Sequence, residues 1–236
     1  MTPADIAKRA AGEMALDLHV RSGMRLGLGS GSTSHLMVQA LGERVRAGLD
    51  VVGVATSTKT AEIARAAGVR LVDLGDLGEL DLAIDGADEI DPRLDMIKGG
   101  GASLLYEKIV AHAARRMVAI VDASKVVERL GRYPLPIEVI PFGWQSTARS
   151  IGAVLAGADV DGQEIAVRGG AASPLRTDAG NFILDCRLGR IGDPRRLGSL
   201  LNDLPGVVEH GLFVGYAGSV VVGRPDGSAT ELFACG

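Results

Sequence analysis

The sequence predicts an α/β protein: a Rossmann-like parallel-sheet domain joined to a smaller α+β domain of ferredoxin-like type. Three observations carry that expectation. Short apolar runs alternate with helical patterns through the first half of the chain. After Lys125 the rhythm changes, with Pro134, Pro136 and Pro141 opening a βαββαβ order. Glycine is abundant, 33 of 236 residues, as many tight βα turns require.

Residues 4–20 have the spacing of an amphipathic helix, with Pro3 near its start. A strand follows at 24–28, a helix at 32–46, a strand at 51–55, a helix at 60–67 and a strand at 69–72. The next strand is 80–84, followed by a helix over 103–116 and a strand over 117–121. The second part reads as strand 137–140, helix 145–156, strands 164–168 and 181–187, helix 194–203 and strand 207–213. Residues 220–223 and 230–233, joined through Pro225-Asp226-Gly227, form a closing hairpin. The expected division is a catalytic domain of residues 1–130 completed by 208–236. Residues 131–207 form the smaller domain, expected to carry oligomer contacts.

Apolar residues make up 47% of the chain, enough for a sizeable core, and the net charge is −4. A mildly acidic chain without basic runs is a poor candidate for nucleic acid or an anionic membrane. The charges Asp5, Lys8, Arg9, Glu13 and Asp17 exclude a secretory apolar region in the first twenty residues. A soluble, cytoplasmic protein is expected. Cys186 and Cys235 fit no CxxC pattern and are expected to be buried thiols.

The turn after the first strand, Gly27-Leu28-Gly29-Ser30-Gly31-Ser32-Thr33-Ser34, brings backbone N–H groups to a helix start, where an anion is favoured. No Gly-Lys-Ser/Thr follows, so it is not a Walker loop. The third glycine comes four residues after the first, and the next strand ends in Thr56-Ser57 without an acid, so a dinucleotide fits poorly. Hydroxyls at both strand ends suit a phosphate or sugar. An ordinary capped glycine turn fits the same residues.

The strand 80–84 runs into Asp85-Gly86-Ala87-Asp88-Glu89-Ile90-Asp91. Ligands of open α/β sheets bind beyond the carboxyl ends of strands, where Asp85 falls, and Gly86 permits a turn that returns Asp88 to the same space. The spacing is not that of an EF-hand and no histidine is near, so metal is disfavoured. Lys98-Gly99-Gly100-Gly101 adds a positive charge beside a nest of N–H donors. On the following helix the wheel sets Lys108, His112, Arg115 and Arg116 on one side. Glu107 lies opposite, among Ser103, Val110, Ala111 and Ala114, with no basic residue three or four positions away. A partly desolvated carboxylate there is a candidate base, with its pKa raised toward neutrality. Lys125, in Asp122-Ala123-Ser124-Lys125, closes the next strand at the same sheet edge.

These motifs, with Pro134 to Pro141 and Leu204 to Val208, resemble ribose-5-phosphate isomerase type A over nearly the whole chain. The resemblance implies interconversion of ribose 5-phosphate and ribulose 5-phosphate without metal or cofactor, by a homodimer or homotetramer. It assigns Glu107 as proton acceptor, Asp85 and Asp88 to the sugar hydroxyls and ring opening, and Lys98 to the reacting end. Gly86, Ala87, Gly99, Gly100 and Gly101 would line the substrate. Ser30, Gly31, Ser32, Thr33 and Lys125 would hold it, chiefly at the phosphate. Ser30 stands where many members have Thr, and Tyr106 where many have Arg, which leaves the tuning of Glu107 open. A sugar-phosphate-sensing regulatory domain, a CoA-transferase-like enzyme or an amino-sugar-phosphate deaminase are the alternatives on a similar fold.

Overall fold

The first helix starts where Thr2 and Asp5 satisfy each other. In the computed structural model, which describes residues 1–234, Thr2 Oγ1 accepts the Asp5 N–H at 3.2 Å and Asp5 accepts the Thr2 N–H at 3.0 Å. Pro3 fills the first helical position of α1 (Pro3–His19), where its missing N–H costs nothing. Then come β1 (Arg25–Leu28), α2 (Ser32–Arg46), β2 (Val52–Ala55) and α3 (Thr58–Ala67). Ser57 caps α3 through the Thr60 N–H, and Gly68 ends it in the left-handed conformation that glycine adopts freely. The chain continues through β3 (Arg70–Leu71), the single turn α4 (Leu74–Leu77), β4 (Leu82–Asp85), β5 (Glu89–Ile90), β6 (Met96–Ile97), α5 (Leu104–His112) and β7 (Met117–Asp122). The remaining elements are β8 (Leu135–Val139), α6 (Trp144–Ala156), β9 (Glu164–Val167), β10 (Phe182–Arg187), α7 (Pro194–Asn202), β11 (Val207–His210), β12 (Leu212–Phe213), β13 (Ala217–Gly223) and β14 (Ala229–Leu232).

Seven strands form one sheet in the order β14-β13-β7-β4-β1-β2-β3, parallel except for the β13–β14 pair. Strand order reverses direction between β1 and β4. That is where an open doubly wound sheet leaves a crevice at its carboxyl edge. Leu26, Leu28, Leu82, Ile84, Val118 and Ile120 are fully buried or nearly so and pack under α1 and α2. Such β-branched and leucine-rich strands, covered on both faces, are what a parallel sheet needs.

The second sheet is antiparallel in the order β11-β8-β10-β9. For the chain order β8-α6-β9-β10-α7-β11 this is the ferredoxin-like arrangement the sequence predicts. Leu135, Ile137, Val139, Leu184 and Cys186 face Ile151 and Leu155 of α6 and Leu197 and Leu201 of α7. Burial pushes the Cys186 thiol up to about 12, so it is inert. Cys235 lies outside the described residues.

A third sheet, β12-β6-β5, does not follow from the sequence pattern, because strands of two residues are too short to show a period. The predicted strand 207–213 is two strands, parted at Gly211. There the chain leaves β8, Gly211 N–H donating to Pro136 O at 2.7 Å, and joins β6, Gly211 O accepting Lys98 N–H at 2.8 Å. A Cβ on Gly211 would come within 2.2 Å of Lys98 O, so only glycine fits the crossover. The helix predicted to Arg116 ends at His112. Ala113 O instead accepts the Leu80 N–H, and Arg115 N–H donates to Leu80 O.

Candidate active site

The crevice between β1 and β4 holds a cavity. It is lined by Ser30, Gly31, Ser32, Thr33, Gly86, Ala87, Asp88, Lys98, Gly99, Gly100, Gly101, Glu107 and Lys125, and by Lys8, which the sequence reading did not select. Every sequence-predicted site residue except Asp85 is on this wall.

Asp85 closes β4 and lies just behind it, 3% exposed. Its Oδ1 accepts from Ser30 N at 3.0 Å, Ser34 Oγ at 3.0 Å and Gly86 N at 2.7 Å. Its Oδ2 is 2.8 Å from Lys98 Nζ. Both oxygens are therefore committed within the protein. Gly29 makes this possible, since a Cβ there would overlap the Asp85 carboxylate. Gly86 acts differently from the sharp turn expected of it. Its backbone is not left-handed, and a Cβ would meet only ordinary contacts. What Gly86 supplies is its N–H to Asp85 and its carbonyl, which accepts from Lys98 Nζ at 2.5 Å.

Glu107 enters from the first turn of α5 and is 4% exposed. The helix indeed offers it no partner, but Lys98 reaches it from another segment, Nζ lying 3.3 Å from Oε2. That contact is not aligned as a hydrogen bond, and Oε2 accepts none among the described residues. Burial pushes the Glu107 carboxyl up to about 8; Lys98 opposes the rise, and Asp85 and Asp88 reinforce it. Burial also disfavours the Lys98 charge, yet Asp85 and then Glu107 outweigh it and hold that pKa above its ordinary value. One ammonium thus serves two buried carboxylates, an arrangement that favours the protonated form of Glu107. Tyr106 is half-buried and off the cavity wall.

Asp88 differs from Asp85. It lines the cavity, and its Oδ2 accepts the Gly100 N–H at 2.8 Å, while Oδ1 accepts nothing from the described residues. Ser30 also departs from expectation. Its N–H is spent on Asp85, and its Oγ lies 2.7 Å from Thr56 Oγ1, 2.8 Å from Ser57 Oγ and 3.1 Å from Thr60 Oγ1. The hydroxyls at the strand ends hold one another. The groups suited to an anion are instead the start of α2, with Gly31 as its N-cap, and two lysines. Lys8 Nζ donates to Ser32 Oγ at 3.0 Å, and Lys125 shares the cavity wall from the turn after β7. In the sequence Lys8 is one more charge on a solvated helix face. Only the packing of α1 against α2 brings it here.

Burial sets Lys108 apart from the other basic residues on its side of the wheel. The Lys108 Nζ donates to Glu209 Oε1 at 2.6 Å and to His210 O at 2.7 Å and lies 4.8 Å from the Phe213 ring centre. Burial and then the Lys108 charge push the neighbouring His210 down to about 4, so that imidazole is neutral.

Known proteins resemble this chain in sequence and in fold. The family profile of ribose 5-phosphate isomerase A (phosphoriboisomerase A) matches residues 52–227. The chain is 57% identical over 228 residues to ribose-5-phosphate isomerase A of Cereibacter sphaeroides, covering 96% of this chain and 87% of that one. The crystal structure of ribose 5 phosphate isomerase A from Neisseria gonorrhoeae superposes with a TM-score of 0.89 at 34% identity, over 100% of both chains. A D-ribose-5-phosphate isomerase in complex with phospho-erythronic acid superposes with a TM-score of 0.88 at 35% identity, covering 96% of this chain and 97% of that one. Glycine turn, paired aspartates, buried lysine and raised glutamate thus sit on the expected fold, and the chain belongs to the ribose 5-phosphate isomerase A family.

Proposed function

We propose that this protein interconverts ribose 5-phosphate and ribulose 5-phosphate by proton transfer through Glu107. The observation that carries the reading is a buried glutamate with an unpartnered oxygen beside a buried lysine, on the wall of a cavity with cationic groups.

Asp88, with a free carboxylate oxygen, is the residue suited to the sugar hydroxyls and to ring opening. Asp85 acts one layer back, holding Lys98 and the Ser30 turn. In the open chain, ionised Glu107 takes the proton from C2 as the C1=O electrons become an oxyanion. Lys98 Nζ and the Gly101 N–H stabilise that enediolate while its charge develops. Return of the proton to C1, with transfer of the C2 hydroxyl proton to the C1 oxyanion, gives the ketose. The phosphate, held by the α2 N-terminus, Lys8 and Lys125, fixes the reacting carbons against Glu107. No step calls for a metal or a cofactor, so chelators should leave the rate unchanged.

The division into residues 1–130 with 208–236 and residues 131–207, a cytoplasmic location, and a homodimer or homotetramer complete the proposal. Phe142, 93% exposed, and Ile140, 43% exposed, lie on the smaller unit and support its role in subunit contact. The deciding test is ribose 5-phosphate turnover by wild type and Glu107→Gln. The amide should lose on the order of 10³-fold in kcat while still binding substrate. Equal turnover would refute Glu107 as the base.

A further inference from the structure

Three consecutive glycines ought to be the least determined stretch of the active site, since each peptide in Gly99-Gly100-Gly101 can rotate at little steric cost. The structure holds them from outside. Arg168, just beyond β9, sends Nη1 to Gly99 O at 2.9 Å and to Gly100 O at 3.0 Å. The guanidinium is itself fixed by Asp185 of β10, with Nε donating to Oδ2 at 2.9 Å and Nη2 to Oδ1 at 2.5 Å. Register pairs β9 directly with β10, so the fork is aimed from a rigid sheet. Its side chain is 17% exposed and that of Asp185 25%, so the pair is partly shielded from water.

The consequence concerns the other side of the same peptides. In a trans peptide the N–H points opposite to the C=O. Drawing both carbonyls to one nitrogen turns both N–H groups away from it. The Gly100 N–H accordingly meets Asp88 Oδ2 at 2.8 Å, on the cavity wall. The Gly101 N–H faces broadly the same way and has no partner among the described residues. Tyr133 and Asp88 close the loop from that side, leaving no room for a Cβ on Gly100. Ala102, in a left-handed conformation at φ 61°, completes the turn by donating to Gly99 O at 3.0 Å.

We infer that Arg168 is a positioning residue for the isomerisation: by clamping the Gly99 and Gly100 carbonyls it fixes Asp88 through the Gly100 N–H and turns the Gly101 N–H toward the oxyanion that forms on the substrate. Through Arg168 the four-stranded sheet takes part in a reaction whose chemical groups all lie outside it. This deepens the isomerase reading and rests on it.

The test compares wild type, Arg168→Ala and Arg168→Lys. Arg168→Ala should lower kcat by roughly 30-fold or more, the scale of a lost oxyanion donor, with KM little changed. Millimolar ethylguanidinium should restore part of that loss, because the cut-out fork can reoccupy its site. Arg168→Lys should not recover, since one ammonium cannot bridge two carbonyls and hold Asp185 as a fork does. Binding, measured by calorimetry, gives a second readout. Phospho-erythronic acid, whose carboxylate resembles the enediolate, should bind Arg168→Ala at least about tenfold more weakly, and inorganic phosphate equally well. Unchanged kcat in Arg168→Ala would overturn the inference. So would a loss that ethylguanidinium does not touch and that weakens phosphate as much as phospho-erythronic acid. A wild type inactive on ribose 5-phosphate would overturn the isomerase reading instead, and the two binding measurements would still decide whether Arg168 orders the loop.

Discussion

Glu107 carries opposite demands at a single carboxyl. To act as a base it must lose its proton, yet its surroundings hold that proton to about 8. The free enzyme should therefore show kcat/KM rising about tenfold per pH unit below 8 and levelling above it. A profile flat from pH 6 to 9 would remove Glu107 as the titrating base. The same shift acts on stability. A carboxyl that holds its proton more tightly when folded costs the folded state increasingly from its unfolded value near 4.5 up to about 8, and by a constant amount above. Glu107→Gln should thus be more stable than wild type at pH 8 by up to about 4 kcal/mol, with the gap closing toward pH 4.5. Denaturant melts at the two pH values measure this, and a gap independent of pH would contradict it. Asp85 and Asp88 make a related point. They share a motif and look interchangeable in sequence, but one spends four contacts inside the protein and the other keeps an oxygen for a ligand.

At the scale of elements, the β1–α2 turn and the end of β4 interlock. Gly29 lies against Asp85 so closely that an added methyl would overlap the carboxylate. Gly29→Ala should push Asp85 off Ser30, Ser34 and Lys98, lowering stability by about 2–4 kcal/mol and activity by more than tenfold. Thermal melts and turnover on the same preparation check both, and a variant with wild-type values would show that the turn can slide. The glycine-rich turn, the aspartate pair and the helix bearing Glu107 were legible because each follows a recognisable strand or precedes a recognisable helix. The two-residue strands β5, β6 and β12 were not, because pairing between distant segments creates them and no local period marks them. The burial of Lys108 was not legible for a similar reason. A helical wheel assumes one solvent-facing side, whereas α5 is covered by β11 where the wheel is basic.

On the scale of the whole molecule, function depends on how two sheets meet. Lys108 of α5 and Glu209 of β11 join at 2.6 Å, and Arg168 reaches from the smaller sheet to the loop before α5. Lys108→Met strands a carboxylate that is only 18% exposed and should cost about 1–3 kcal/mol. The double variant Lys108→Met with Glu209→Gln should recover much of that. A double-mutant cycle reads the coupling, and additive losses would mean the pair does not tie the sheets.

The alternation of strands and helices, the βαββαβ order and the acid–lysine–glutamate spacing are local properties, written in side-chain period and turn residues. The sequence alone therefore determined the fold class and which residues gather at the crevice. The roles within that crevice are different in kind. That Asp85 is bonded within the protein while Asp88 lines the cavity, that Lys8 shares that wall and Arg168 holds the glycine loop, and that Lys108 is buried were decided only in three dimensions. Each depends on a hydrogen bond or ion pair between segments from 12 to more than 100 residues apart. Such contacts cannot be read from any window of sequence, because burial, which gives them their strength, is a property of the assembled sheets.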